Sequence, residues 1–285
     1  MGMKIGVIGA GVMGKGVAQN LAQSGHNVIL IDISDAILDQ ARTELLTNIR
    51  FSGFYNKDAG AEDPDTVLSR VMFTTHYDSL GDADFIIENV PEQWQIKKEV
   101  YEQLEQYCPE SCIYLVNTSC ISITKVGAVT KRPDKVIGVH FMNPVPLKPV
   151  VEAIQGYHTS ERTILETREL LRTMGKEAIL VQDLPGFVSN RVSHLLMNEA
   201  AFVVQDQVAT PEDVDDIFVK CFGHTMGPLR TADLIGLDTV VHSLDVLYET
   251  YQDPKYRVCP LLRKMVDAGL LGAKSGQGFF EHVIF

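Results

Sequence analysis

Short apolar runs alternate with amphipathic segments along roughly the first 180 residues of the chain. This alternation is typical of parallel βαβ units, whose strands are covered by helices on both faces. The predicted strands span residues 4–8, 28–31, 84–88, 113–117, 136–141, 150–154 and 178–181. The predicted helices between them span residues 11–24, 34–51, 92–107 and 160–174, with Ser34 and Ser160 as N-caps.

The strand pattern stops at the turn sequence Asp-Leu-Pro-Gly of residues 183–186. Further along, the pattern predicts helices over residues 187–205, 211–221, 229–251 and 259–268, the second of which starts at Thr210-Pro211. The segment 52–64 is predicted to be a loop. We therefore expect an α/β protein. Residues 1–184 form a Rossmann-type, doubly wound, mostly parallel sheet, and residues 185–285 form an all-α domain.

Length and composition fit a globular protein of more than one domain. The chain has 285 residues, of which 45% are hydrophobic and 22% charged, which is ordinary for a protein with a large apolar core. Its formal net charge is −12, and its lysines and arginines form no long cluster. Because nucleic acids and anionic membranes are bound through concentrated basic surfaces, we expect neither as a partner.

The cysteines and the N-terminal sequence predict a soluble protein of the reducing cytoplasm. Five cysteines are scattered along the chain, and only Cys108 and Cys112 lie close together. Neither a second pair nor a nearby histidine completes a zinc site, so no bound metal is expected. The chain runs from Met1 almost directly into an apolar strand. We see in it neither a signal peptide nor an apolar run long enough for a membrane span.

A glycine-rich turn follows the first predicted strand and opens the first predicted helix. Its sequence, which matches the dinucleotide-binding fingerprint G-x-G-x-x-G, is Gly9-Ala10-Gly11-Val12-Met13-Gly14. The first glycine permits a tight turn, the second lets the backbone approach a pyrophosphate, and the third lets the helix pack closely on the strand. The amides at the helix start point towards the phosphates. The motif therefore predicts a dinucleotide site.

Asp32 ends the second predicted strand, about twenty residues after the fingerprint. A carboxylate at this position accepts hydrogen bonds from the adenosine ribose and repels the 2′-phosphate of NADP. The following residues, Ile33 and Ser34, include no arginine that would compensate. We therefore predict NAD as the cofactor. Because FAD shares the fingerprint, the reaction has to be inferred from residues further along the chain.

A histidine and a glutamate lie on two consecutive predicted strands. His140 is near the end of the first, and Glu152 lies on the next, where a buried carboxylate needs a partner. A carboxylate that orients an imidazole and stabilises its charged form makes the histidine a general base. Oxidation of an alcohol by NAD requires such a base, because a proton leaves oxygen as hydride leaves carbon.

Several short motifs occur in a specific order and spacing. They are residues 9–14, Asn117-Thr118-Ser119, His140-Phe141-Met142-Asn143-Pro144, Glu152, Pro185-Gly186-Phe187-Val188-Ser189-Asn190-Arg191, Met226-Gly227-Pro228 and Lys274-Ser275-Gly276-Gln277-Gly278-Phe279-Phe280. With these motifs the chain resembles the 3-hydroxyacyl-CoA dehydrogenase family, including bacterial 3-hydroxybutyryl-CoA dehydrogenases, over essentially its whole length. The resemblance implies an oxidoreductase that uses NAD to interconvert a 3-hydroxyacyl thioester and its 3-oxo form.

The resemblance also implies roles for individual residues. His140 is implied as the base for the 3-hydroxyl proton, with Glu152 as its orienting partner. Ser119 matches the serine that hydrogen-bonds the substrate oxygen, and Asn190 the asparagine that completes this polar site. The residues at positions where the family contacts the dinucleotide are Glu92, Lys97, Asn143 and Lys274.

One region departs from the family pattern. The family usually carries several lysines for the CoA phosphates on its long second helix and the turn after it, whereas here Arg50 and Lys57 stand among aromatic and acidic residues. Two substrates are therefore open. The enzyme binds a short acyl-CoA through Arg50 and Lys57, or it acts on an acyl group carried by phosphopantetheine on a carrier protein in specialised biosynthesis. We favour CoA, because members of the family usually act on acyl-CoA substrates.

Two other functions have to be considered. A 3-hydroxyacid dehydrogenase of similar build uses a lysine for acid–base chemistry, which the pair His140 and Glu152 argues against. Some members of the family serve as lens crystallins, but the retained Ser119, His140, Glu152 and Asn190 argue against a purely structural role. The helical domain has more apolar residues in the segment 188–204 than one helix face needs. With the family resemblance, this surplus predicts a homodimer formed through that domain.

Overall fold

The computed structural model describes residues 2–55 and 62–283. The chain divides into two compact units, Met1–Asp183 and Leu184–Phe285. The division falls at the turn where the strand pattern of the sequence stops.

The first unit contains a sheet in which most neighbouring strands are parallel. The strands lie in the order β3-β2-β1-β4-β5-β6-β7-β8, and the pair β6–β7 is antiparallel. Their bounds are β1 (Lys4–Ile8), β2 (Asn27–Ile31), β3 (Val71–Thr74), β4 (Phe85–Glu88), β5 (Ile113–Asn117), β6 (Val136–His140), β7 (Val150–Gln155) and β8 (Glu177–Gln182). This architecture confirms the expected Rossmann-type sheet.

Helices connect these strands. Their bounds are α1 (Val12–Gln23), α2 (Asp35–Tyr55), α3 (Pro64–Leu68), α4 (Trp94–Tyr107), α5 (Ile123–Gly127) and α6 (Glu161–Thr173). Ser160 caps α6 as predicted, because its hydroxyl accepts a hydrogen bond from the amide of Thr163. The predicted loop over residues 52–64 is wrong at its start, since α2 continues to Tyr55. The short elements β3, α3 and α5 were not predicted, because four or five residues carry little periodicity.

The apolar runs of the sequence form the core of this unit. Val7, Leu30, Ile87, Leu115 and Val139, on five neighbouring strands, each have 0% exposed surface. Strands covered on both faces leave such runs no contact with water. The core therefore fixes the strand ends, from which the polar residues of the site project.

The second unit is helical, as expected. Its helices are α7 (Ser189–Gln205), α8 (Pro211–Lys220), α9 (Pro228–Ile235), α10 (Leu237–Tyr251) and α11 (Pro260–Asp267). The prediction of one helix over residues 229–251 is wrong. Gly236 has φ = 102°, a conformation that essentially only glycine adopts, and it separates α9 from α10. The apolar pattern continues across this break and conceals it.

Within the described residues, every helix is too short or too polar to cross a lipid bilayer.

Candidate active site

A crevice lies at the carboxyl ends of β1 and β4, where the strand order changes direction. Ligands of doubly wound folds bind at such a point. The crevice has a volume of about 190 Å³. It is lined by Met13, Asn89, Val90, Glu92, Asn117, Thr118, Ser119, His140 and Phe141. The crevice is therefore bordered by segments that follow β1, β4 and β5 and by the end of β6.

The glycine turn has the shape that a pyrophosphate requires. Gly9 has φ = 94°, and a Cβ atom on Gly14 would lie 1.7 Å from the Gly9 carbonyl oxygen. A Cβ atom on Gly11 would meet no atom within 4 Å, so the approach to the backbone is open there. No side chain caps the start of α1, and its first amides can hydrogen-bond a phosphate. The turn thus fits a dinucleotide.

Asp32 lies half-buried directly after β2 and contacts the glycine turn. One carboxylate oxygen accepts a hydrogen bond from the Ala10 amide at 2.6 Å, and the other accepts from the Ile33 amide at 2.7 Å. Ile33 itself is 91% exposed. The carboxylate therefore holds the turn in place while it stands at the position predicted for ribose recognition.

Three of the predicted catalytic side chains form a hydrogen-bonded line. His140 and Glu152 are direct partners in the register of β6 and β7, and His140 Nδ1 lies 2.9 Å from Glu152 Oε2. On the other side, His140 Nε2 lies 3.1 Å from Ser119 Oγ. In the neutral tautomer whose Nδ1 donates to the carboxylate, Nε2 can accept the serine proton. His140 and Glu152 are buried, and Ser119 is half-buried. This line can take up a proton at the crevice.

Glu92 organises the turn that carries Ser119. Its Oε1 atom accepts hydrogen bonds from the amides of Ser119, Cys120 and Ile121 at 3.0, 2.8 and 3.2 Å. The Thr118 hydroxyl donates to the same atom. Four donors on one carboxylate oxygen define the path of the backbone after β5.

Lys97 differs from its prediction as a residue that contacts the dinucleotide. Its side chain is completely buried, and Nζ donates to Glu88 at 2.8 and 2.9 Å and to the Asn117 carbonyl at 3.1 Å. The Tyr101 hydroxyl also donates to Glu88, at 3.3 Å. Because no part of the Lys97 side chain is exposed, a direct contact with a cofactor is not supported. Its contacts place it beneath the crevice as a support.

Two asparagines in the crevice were not among the predicted site residues. Asn117 Nδ2 donates to Asn89 Oδ1 at 2.7 Å, and Asn117 Oδ1 accepts from the Phe141 amide at 3.3 Å. Asn89 Nδ2 in turn donates to the Ile87 carbonyl at 2.9 Å. These bonds join the ends of β4, β5 and β6. Both asparagines lie at or directly after the end of a predicted strand, and this position could have identified them as site residues.

The family model described as "3-hydroxyacyl-CoA dehydrogenase, NAD binding domain" matches residues 4–184, and the model of the C-terminal domain matches residues 186–282. The chain belongs to the 3-hydroxyacyl-CoA dehydrogenase family. The family resemblance of the sequence and the expectation of an NAD-dependent oxidoreductase are confirmed.

Individual members of the family are similar over the full chain. A probable 3-hydroxybutyryl-CoA dehydrogenase of Deinococcus radiodurans is 44% identical over 98% of this chain and 100% of its own. The 3-hydroxybutyryl-CoA dehydrogenase of Clostridioides difficile is 43% identical over 98% and 99%. The crystal structure of (S)-3-hydroxybutyryl-CoA dehydrogenase from Ralstonia eutropha superimposes with a TM-score of 0.94, at 39% identity and full coverage of both chains.

Asn143, which was predicted to contact the dinucleotide, is exposed and lines a second groove of about 320 Å³ in the first unit. Exposed apolar side chains line this groove, namely those of Val12, Phe51 and Leu147. It is also lined by Lys15 and Glu44, which form an ion pair. Arg50 is exposed on α2, whereas Lys57 lies outside the described residues.

Two further family positions belong to the second unit. Asn190 is the second residue of α7, and its carbonyl lies 3.0 Å from His194 Nδ1. Lys274 Nζ lies 2.7 Å from Asp238 Oδ1 and 2.9 Å from Thr239 Oγ1 at the start of α10. Asn190 is half-buried and Lys274 is exposed.

Proposed function

We propose that the protein interconverts a short-chain 3-hydroxyacyl-CoA, such as 3-hydroxybutyryl-CoA, and its 3-oxo form. The line Ser119–His140–Glu152 beside the glycine turn carries this proposal. It joins a proton acceptor to the place where a dinucleotide fits, and alcohol oxidation needs both. When bound, NAD supplies the hydride acceptor.

His140 Nε2 takes up the 3-hydroxyl proton in the oxidising direction and returns it in the reducing direction. Glu152 holds the tautomer in which Nε2 is an acceptor, and it stabilises the imidazolium that forms. The Ser119 hydroxyl, 3.1 Å from Nε2, hydrogen-bonds the oxygen at C3. Asn190 is proposed to donate a further hydrogen bond to this oxygen, by its match to the family motif.

The dinucleotide is held by the turn of residues 9–14 and by Asp32, with Asn143 and Lys274 as further contacts by family position. Asp32 favours NAD over NADP, because a carboxylate repels a 2′-phosphate. Glu92 borders the same crevice. The proposal needs no metal ion.

CoA is the proposed carrier of the acyl group. The names of the similar proteins refer to CoA thioesters, and they lend no support to a carrier-protein substrate or to a crystallin role. Arg50 and Lys57 are the proposed partners of the CoA phosphates.

We further propose a homodimer formed through the helical unit. Large apolar side chains on its surface support this, since Val192 is 62% exposed and Phe222 69% exposed. A cytoplasmic location is proposed from the buried free thiols of Cys108, Cys112 and Cys259, which fit a reducing compartment.

A substrate panel tests the proposal. Initial rates are measured with NADH and with NADPH for acetoacetyl groups on CoA, on pantetheine, on a carrier protein, and as the free acid. We expect the highest kcat/KM with the CoA thioester and NADH. A higher kcat/KM for the carrier-protein thioester would show that the acyl group is carried by a protein and not by CoA. Reduction of the free acid alone would point to a hydroxyacid dehydrogenase, and a tenfold preference for NADPH would contradict the role of Asp32.

A further inference from the structure

The carboxylate of Glu92 occupies a nest of donors in the turn after β5. One oxygen, Oε1, accepts from three successive backbone amides, those of Ser119, Cys120 and Ile121, and from the Thr118 hydroxyl. Hydrogen bonds to an ionised acceptor are about twice as strong as neutral ones. An anion of the chain itself therefore fills a site that would otherwise attract an external anion.

This nest ties Glu92 to the reacting groups. Ser119 is one of the residues whose amides are held, and its hydroxyl lies 3.1 Å from His140 Nε2. The direction of that hydroxyl depends on the backbone of the turn, because a side chain leaves the backbone in one of a few staggered directions. A turn that moves by 1 Å would separate the serine from the imidazole.

Lys97 supports the carboxylate from below. Lys97 Nζ lies 3.9 Å from Glu92 Oε2. The Nζ atom also donates hydrogen bonds to Glu88 and to the Asn117 carbonyl. The lysine is completely buried, so its charge acts in a region of low polarity. Lys97 therefore connects the buried ion pair with Glu88 to Glu92, and Glu92 in turn binds the turn that carries Ser119.

We propose that Glu92 is a positioning residue, which holds the turn 118–121 so that Ser119 faces His140. This inference rests on the proposed function and adds to it. Glu92 acts on the chemical step through Ser119, in addition to any contact that its exposed edge makes with the dinucleotide.

A double-mutant cycle tests the proposal with the full-length enzyme, NADH and acetoacetyl-CoA. Glu92→Ala and Glu92→Gln are made alone and together with Ser119→Ala. The control is Glu99→Ala, which removes an exposed carboxylate of α4. The NADH dissociation constant is measured by energy transfer from Trp94, the single tryptophan of the chain.

We expect Glu92→Ala to lower kcat about 100-fold in the parent enzyme, the scale of losing one transition-state donor. In the Ser119→Ala background the same change should cost at most about threefold, because the effects of residues that act through one another are not additive. The kcat of Glu92→Gln should lie between those of the parent enzyme and Glu92→Ala, since glutamine keeps a hydrogen-bond acceptor but not the charge. The NADH dissociation constant should change by less than about threefold in Ser119→Ala and Glu99→Ala, and any loss of NADH affinity in the Glu92 variants should be the same in both backgrounds.

Hydrogen exchange provides a readout that does not depend on activity. Deuterium uptake by the peptide that contains residues 118–122 should rise in Glu92→Ala and stay unchanged in Glu99→Ala. Equal losses of kcat in both backgrounds, or a loss confined to NADH affinity, would overturn the positioning role. A parent enzyme that fails to reduce acetoacetyl-CoA would instead overturn the proposed function, and this inference with it. If Glu92→Ala does not fold, the Glu92→Gln cycle decides.

Discussion

Lys97 and Glu88 form an ion pair in which neither side chain has any exposed surface, with Nζ 2.8 Å from Oε1. Burial raises the pKa of Glu88, and the positive charge of Lys97 opposes this shift. Each charge is thus tolerated in the interior mainly because the other is present. Lys97 Nζ also donates to the Asn117 carbonyl, so it links the interior of the sheet to the crevice.

Lys97→Met should destabilise the first unit strongly. The change leaves the Glu88 carboxylate without its cation, which costs about 3–5 kcal/mol for a buried pair. Urea unfolding followed by circular dichroism measures the effect. Lys98→Met is the matched control, because its ion pair with Glu102 is exposed and contributes about 0.5 kcal/mol. Equal stability of the two variants would contradict the importance of the buried pair.

His140→Ala should lower kcat by ~10²–10⁴, the contribution of a positioned general base. NADH binding should remain nearly intact, because His140 ends β6, whereas the glycine turn that fits the pyrophosphate follows β1. Steady-state kinetics and NADH titration separate the two effects. His158→Ala, which removes an exposed histidine, is the control. Near-normal turnover of His140→Ala would remove this residue from the mechanism.

Glu152→Gln should reduce kcat by a comparable factor of ~10²–10⁴, although the two side chains have the same shape. An amide cannot stabilise the imidazolium, and it no longer selects the tautomer of His140. The measurement is kcat, with the melting temperature as a check of the fold. A variant with unchanged kcat would show that the carboxylate charge is not used.

Gly11→Ala and Gly14→Ala should separate cofactor binding from folding. A methyl group on Gly11 enters open space, so the melting temperature should hold while NADH affinity falls at least about tenfold. On Gly14 it would lie 1.7 Å from the Gly9 carbonyl oxygen, which should cost about 1–3 kcal/mol of stability. NADH titration and thermal unfolding test both. Unchanged NADH affinity in Gly11→Ala would place the pyrophosphate elsewhere.

The stability of the first unit should fall as the pH drops below about 6.5, the ordinary histidine pKa. Burial lowers the pKa of His26, whose Nδ1 accepts from the Met3 amide at 3.2 Å and whose Nε2 lies 2.7 Å from Thr173 Oγ1. The unfolded chain therefore binds a proton that the folded chain resists, at a cost of up to about 1.4 kcal/mol per pH unit. His26→Gln should flatten this part of the curve of melting temperature against pH. His158→Gln should leave the curve unchanged.

Features encoded locally could be predicted from the sequence. The glycine turn, Asp32 and His140 each follow or end an apolar strand, and the carboxyl ends of such strands meet at one edge of the sheet. Glu152 could be paired with His140 because it lies on the next strand. Predictions of this kind need only the order of the elements.

Features that depend on distant packing were missed. Lys97 was predicted to contact the dinucleotide, yet its side chain is buried against Glu88 and Tyr101, which a single sequence does not show. The four hydrogen bonds of Glu92 join residues 26 to 29 positions apart. The break at Gly236 is hidden because leucine and isoleucine flank the glycine and continue the apolar pattern.

Because β7 pairs with β6 in antiparallel register, the contact between His140 and Glu152 depends on how the two strands are aligned. Side chains along a strand alternate between its two faces, so a slip of one residue would bring Val151 or Ala153 opposite His140 and turn Glu152 away. The proton acceptor therefore depends on strand alignment as much as on residue identity. An insertion inside β7 would therefore silence the enzyme even with every polar side chain retained.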